Sequence, residues 1–201
     1  MLRGHLRYPR HGESPVPPGP YEIDDLVDDA IALLDNLDIG RSHIAGLSLG
    51  GMVAMRLAAR NPERVERLAL LCTSAQLGPP QTWAERAATV RAEGTAAVAD
   101  SVVARWLTDR RRSADPQVTA EIRDMIAATP ADGYASCCDA IREMDLRPNL
   151  AAISAPTLVI AGADDPSTTL AHLQAIADGI ANARLIEIPD CAHLATIDQP
   201  E

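Results

Sequence analysis

Apolar positions along the chain change their period several times, and each change marks an element. From Tyr21 to Asp38, residues Leu26, Val27, Ala30, Leu33, Leu34 and Leu37 share one helical face, with Asp24, Asp25, Asp28 and Asp29 near its start. That spacing predicts an amphipathic helix whose acidic first turns suit the helix dipole, and Gly40 is expected to end it. A short apolar run through Ile44 and Ala45 then reads as a buried strand, and Met52, Val53 and Leu57 follow at helical spacing. Asn61 and Pro62 stop that helix, and Val65 to Cys72 (VERLALLC) predicts a second short strand. Between Thr73 and Leu150 strand character disappears, and the Ala-rich windows Trp83 to Ala92, Thr95 to Leu107 and Gln117 to Ala128 predict an all-helical insertion. Strands return at Pro156 to Ala161 and Arg184 to Ile188, separated by a helix from Thr169 to Ile180 and followed by a loop carrying His193. Alternating helices and strands imply an α/β fold with a parallel sheet and helices on both its faces. The expected division is a core of residues 1–73 and 151–201 and a helical cap of residues 74–150.

The junction between the first strand and its helix carries the strongest chemical signal. In SHIAGLSLGGMVAMR, residues 42–56, Gly46, Ser48 and Gly50 fit Gly-x-Ser-x-Gly, in which a serine occupies a strained strand-to-helix turn and the glycines let neighbouring backbone pass close. Such a turn lifts the hydroxyl clear of the sheet edge. It also puts the N–H of Leu49 at a helix N-terminus, where partial positive charge favours an oxyanion beside the serine.

Composition narrows the partners. The formal net charge of −10 argues against nucleic acid and anionic membrane surfaces, which are bound through clustered basic residues. The basic start, Met1 to Arg10, has no apolar stretch behind it, and nowhere do 18 apolar residues run together, so a cytoplasmic location is expected. Cys137 and Cys138 are adjacent while Cys72 and Cys191 stand apart, which is neither a disulfide framework nor a C-x-x-C metal spacing. Cys191 and His193 alone are too few to hold zinc, so no metal is expected.

Strand ends supply the partners that Ser48 needs, because ligands in open α/β sheets bind beyond the carboxyl ends of strands. The acidic pair Asp164 and Asp165 follows one predicted strand, and His193 follows the next. A serine hydroxyl becomes a nucleophile when an imidazole takes its proton and a carboxylate fixes that imidazole. Taken alone, His193 reads as a surface-loop histidine; taken after the elbow and the acidic turn, it completes a Ser-Asp-His order. Either carboxylate fits at this point.

GLSLGGM, LVIAGADDPST and IPDCAHLATIDQPE resemble the elbow, acid and histidine motifs of the α/β-hydrolase family. More narrowly, SPVPPGPYEIDDL, MIAATPADGYASCCDAI and MDLRPNLAAISAPTLVIAG resemble the 3-oxoadipate enol-lactonases of the β-ketoadipate pathway. The resemblance implies an α/β-hydrolase fold with a helical cap, no cofactor, and the triad Ser48, Asp165 and His193 with Leu49 N–H as oxyanion donor. Its Gly-x-x-Asp loop, counted from Gly162, selects Asp165 over Asp164. It also implies a small anionic lactone as substrate, opened to 3-oxoadipate through an acyl-enzyme. A lactone with a free carboxylate needs a local cation on so acidic a chain, and Arg147 is the first choice, Arg142 the second; Asp145 is a competing partner for Arg147. Trp106 and Trp83 are expected to line the pocket, with packing of the cap on the sheet as their other role. Arg110 to Arg112 reads as a solvated loop. A generic carboxylesterase and a non-catalytic remnant are the competing functions.

The chain also departs from that family. Ser48 has 47 residues before it, room for one strand at Leu6 to Tyr8 where the family has three more, so the family's loop for a second oxyanion donor is not expected. Arg10 to Ser14 matches its R-G-H-G-x-S turn with one glycine absent, and Arg3 to His5 is a partial copy. The expectation is a member truncated at both ends that self-associates through an open sheet edge.

Overall fold

The structure, a computed structural model, describes residue 17 and residues 19–201; the expected strand at Leu6 to Tyr8 and the turn at Arg10 to Ser14 lie outside them. Four parallel strands form one sheet in the order β1 (Ser42–Leu47), β2 (Val65–Leu71), β3 (Thr157–Gly162), β4 (Ala183–Ile188). After one irregularity between Ser42 and His43, the register runs from Leu47 opposite Leu71 through Leu71 opposite Ile160 to Gly162 opposite Ile188. All four carboxyl ends therefore open on one side. Strand β3, paired on both edges, buries Thr157, Val159 and Ala161 almost completely, as expected of an inner strand covered by helices.

Helices α1 (Ile23–Asn36) and α2 (Leu49–Arg60) supply core residues at the expected helical spacing, with Leu26, Val27, Met52 and Leu57 at 2% exposure or less, whereas Leu37, expected on the same face of α1, lies past its end and is 53% exposed. Between β2 and β3 come α3 (Pro80–Glu93), α4 (Ala96–Trp106), α5 (Asp109–Ala114), α6 (Pro116–Ala127) and α7 (Ala131–Glu143); α8 (Leu170–Gly179) links β3 to β4, and α9 (Ala195–Asp198) follows the last strand. Two large apolar clusters result, beside a small one of Cys72, Cys191 and Ala195. One joins the sheet, α1, α2 and α8 with Cys137 and Ile141 of α7. The other joins Val90, Ala99, Val103, Ile122 and Ile126 of the inserted helices with Ala135 and Cys138 of the same α7. Helix α7 thus seats the inserted helices on the sheet.

Three expectations need correction. Strand β1 is half-exposed rather than buried, with His43 and Ala45 facing outward, because β2 is its one strand neighbour among the described residues. Helix α1 ends at Asn36 and the chain reverses at Asp38 (φ 54°), a left-handed position that aspartate tolerates, so Gly40 is not the stop. Arg110 to Arg112 is not a loop: Thr108 Oγ1 accepts the Arg111 N–H and caps α5, with Asp109 in its first turn.

Candidate active site

Ser48 sits between β1 and α2 at φ 54°, ψ −120°, a conformation costing a non-glycine residue about 1–3 kcal/mol. Its surroundings hold it there. The Ser48 N–H donates to Leu71 O at 3.0 Å, while its carbonyl accepts Gly51 N–H at 2.9 Å, Met52 N–H at 3.1 Å and Thr73 Oγ1 at 2.7 Å. A Cβ on Gly46 would come within 2.1 Å of Gly50 O, so the strand passes the helix start closer than any side chain allows. Although Ser48 occupies the N-cap position, its hydroxyl makes no capping hydrogen bond and is left for chemistry. Leu49 is the first residue of α2, so its N–H has no intrahelical partner.

The loop after β3 carries Asp165. Asp165 is 4% exposed and its Oδ1 accepts Ser167 N–H at 2.8 Å and Thr168 N–H at 3.2 Å. Its Oδ2 accepts Thr168 Oγ1 at 2.6 Å and faces His193 Nδ1 at 2.8 Å. Burial alone would raise this carboxyl, but the hydrogen bonds and charge of His193, then those of Thr168 and Ser167, outweigh it and hold Asp165 below the usual carboxylate range. Asp164 instead turns away: its N–H donates to Cys191 O at 2.8 Å, and its side chain lines a separate surface depression.

His193 is 2% exposed, so it is not a surface-loop histidine. The close approach is again made by a glycine, since a Cβ on Gly162 would lie 2.4 Å from Ala192 O and 2.6 Å from Cys191 O. With Nδ1 donating to a carboxylate, Nε2 is the free acceptor. The Trp106 ring stacks on the imidazole at 6.1 Å between centroids and 29° between planes, within reach of an attraction between an imidazolium and the indole face. Ser48 and His193 line the same cavity. No hydrogen bond joins Ser48 Oγ to His193 among the described residues, and in unliganded sites such contacts are often long.

That cavity holds about 430 Å³, within the range of small-molecule sites. Ser48, Leu49 and His193 come from the sheet side; Trp83, Arg86, Arg105, Trp106 and Tyr134 come from the inserted helices. Trp83 is anchored by its Nε1–H on Leu77 O at 3.0 Å. The Arg86 guanidinium lies 4.8 Å from the centroid of the Trp83 ring. Burial and then the charge of Arg86 weaken the hold of Arg105 on its proton. Neither arginine is paired with a carboxylate among the described residues.

The structure does not bring Arg147 to the site. Its guanidinium donates to Asp145 at 2.9 Å and 2.6 Å, its side chain is 59% exposed, and it does not line the cavity. Two residues of separation let the pair close locally. Arg142 is likewise paired, with Asp139 and Glu143. The pocket cations are Arg86 and Arg105, which sequence reasoning missed; no local pattern marks which arginine of a helix faces a cavity built by its neighbours. Thr168 carried a findable signal, a hydroxyl three residues after Asp165 in Asp-Pro-Ser-Thr.

The family profile for the alpha/beta hydrolase fold matches residues 6–200. The chain belongs to the α/β-hydrolase family. This hydrolase is 40% identical over 191 residues to 3-oxoadipate enol-lactonase 2 of Acinetobacter baylyi, covering 95% of the chain and 71% of that protein. It is 34% identical to 3-oxoadipate enol-lactonase 1 of the same organism, again over 95% and 71%. Among solved structures, the enol-lactonase of Burkholderia xenovorans LB400 superposes with a TM-score of 0.94 at 42% identity, over 96% of this chain and 74% of that one. A thermophilic esterase from Thermogutta terrifontis with malate bound superposes with a TM-score of 0.90 at 31% identity, over 96% and 73%.

Proposed function

We propose that this α/β hydrolase opens 3-oxoadipate enol-lactone to 3-oxoadipate. The observation that carries the reading is the pair Arg86 and Arg105, two guanidinium groups without a carboxylate partner among the described residues, in the wall of the cavity that contains Ser48 and His193. Two like charges in a largely apolar cavity are costly until an anion joins them, and the lactone brings one carboxylate. Likeness to enol-lactonases at 40% and 34% identity supports the same substrate.

In this mechanism Ser48 Oγ attacks the lactone carbonyl while His193 Nε2 takes its proton. Asp165 holds the Nδ1–H and stabilises the imidazolium, and the face of Trp106 adds to that stabilisation. The carbonyl oxygen becomes an oxyanion at the Leu49 N–H. Collapse breaks the ring C–O bond; the departing enolate takes the proton back from His193 and tautomerises to the ketone. Water, activated by the same His193, then cleaves the acyl-enzyme and releases 3-oxoadipate with Ser48 restored.

The test compares turnover of the lactone with that of neutral aryl and alkyl esters of similar size. The lactone should be preferred, and Arg105→Ala or Arg86→Ala should raise its Michaelis constant roughly 10- to 100-fold while sparing neutral esters. Equal turnover of both classes by the intact chain would replace the lactonase reading with a general carboxylesterase. An intact chain that turns over neither, with Ser48 unreactive, would leave a non-catalytic fold.

A further inference from the structure

The loop carrying His193 is fastened, on both sides of the histidine, to one short stretch of the inserted helices. Leu194 N–H donates to Trp106 O at 2.9 Å, and Ala192 N–H donates to Asp198 Oδ2 at 2.8 Å. The same carboxylate reaches the junction of α4 and α5. There it accepts Thr108 Oγ1 at 3.2 Å and, more loosely, the Thr108 N–H at 3.4 Å. Asp198 is 6% exposed, and a carboxylate so buried is expensive without donors. Its donors come from two parts of the chain, the loop before His193 and the cap.

We infer that Asp198 is a positioning residue that sets His193 against Ser48 by tying the residue before the histidine to the cap. This rests on the reading of His193 as the base in the proposed reaction. The stretch Arg105 to Thr108 performs three tasks in four residues. Arg105 faces the cavity, Trp106 covers the imidazole and holds Leu194, and Thr108 holds Asp198. Arg105, which would seat an anion, thus shares one stretch with the residues that align the base, while Asp198 itself carries only the alignment. Loosening this tie should lower the rate of proton transfer and leave binding nearly intact.

Asp198→Asn keeps the size and one acceptor oxygen but loses the second acceptor, while Thr108→Val removes the donor hydroxyl from the cap side. For each variant, the rate of Ser48 labelling by a fluorophosphonate and the turnover per labelled site would be measured beside the melting temperature. Asp198→Asn should lower both rates roughly 10- to 100-fold with a Michaelis constant within about two-fold of the parent. Thr108→Val should do so more weakly, and the double variant should be no slower than Asp198→Asn alone, as expected of two residues acting through one contact. The downfield His193 Nδ1–H proton resonance should broaden in Asp198→Asn. A lower melting temperature with unchanged labelling rate and unchanged turnover per labelled site would mean a structural role only and overturn the inference. Should Asp198→Asn fail to fold, an unchanged labelling rate in Thr108→Val would overturn it equally. If the parent itself is not labelled at Ser48, the nucleophile assignment falls and takes this inference with it; slow labelling confined to the variants bears on Asp198 alone.

Discussion

Ser48 holds its backbone at φ 54° with its hydroxyl uncommitted, and four buried thiols lie around it without competing for its role. Cys137 and Cys138 line the cavity itself, yet burial pushes Cys72, Cys137 and Cys138 up to about 12 and Cys191 up to about 11. Thiolate, not thiol, is the nucleophile. Iodoacetamide at pH 8 should therefore leave all four cysteines unmodified in the native chain and alkylate all four after unfolding, as read by intact mass. A fluorophosphonate should label Ser48 and fail on Ser48→Ala. Turnover should fall roughly 10⁶-fold in Ser48→Ala or His193→Ala, and somewhat less in Asp165→Asn; labelling of a different serine would remove Ser48 from the mechanism. The resemblance of its loop singles out Asp165 over Asp164, and it is Asp165 whose Oδ2 lies 2.8 Å from His193 Nδ1.

The elbow is a crossing of strand and helix rather than a property of one residue. Gly46→Ala would drive a methyl group into Gly50 O and should cost about 1–3 kcal/mol in urea unfolding, with Ser48 labelling slowed in whatever folds. Helices α1 and α2 are fastened by Arg56, whose fork binds Asp24 at 2.7 Å and 2.8 Å. The hydrogen bond to Arg56 outweighs burial and holds the Asp24 carboxyl below its usual range. A depressed folded value stabilises the fold above the unfolded value, near 3.9, and that contribution is lost as pH falls through the folded value. The side chain is 42% exposed, so Asp24→Asn should cost no more than about 1 kcal/mol at pH 7. The gap to the parent should narrow steadily as pH falls below about 4 and through the folded value; a gap that stays constant as the protein is acidified would contradict this. These elements were legible because period 3.6 and short apolar runs are local signals. Strand β1 was misread because edge or interior is decided by neighbours, not by its own residues. Helix α5 was missed behind its arginines, although Thr108, Asp109 and Asp115 spelled out a capped turn.

The cavity belongs to neither part of the molecule alone: Ser48 and His193 stand on the sheet side and Arg86 and Arg105 on the inserted helices. That division explains why Ser48, Asp165 and His193 stand out in the sequence as candidates while Arg86 and Arg105 do not, since a strand-to-helix elbow is a local geometry and a cavity wall is an agreement between distant segments. Strand β1 pairs on one side only among the described residues, and an open edge invites strand pairing. The chain is expected to self-associate as concentration rises, which light scattering would follow; a monomer from micromolar to millimolar would contradict it. The cap also contains both tryptophans of the chain, Trp83 beneath Arg86 and Trp106 over His193. Indole emission is quenched by a neighbouring imidazolium and shifts with the polarity around the ring, so the protein has a built-in optical gauge. In Trp83→Phe, the remaining emission would come from Trp106 alone. Its intensity would follow the proton on His193 in real time, and its colour would follow the seating of the cap, with no dye attached.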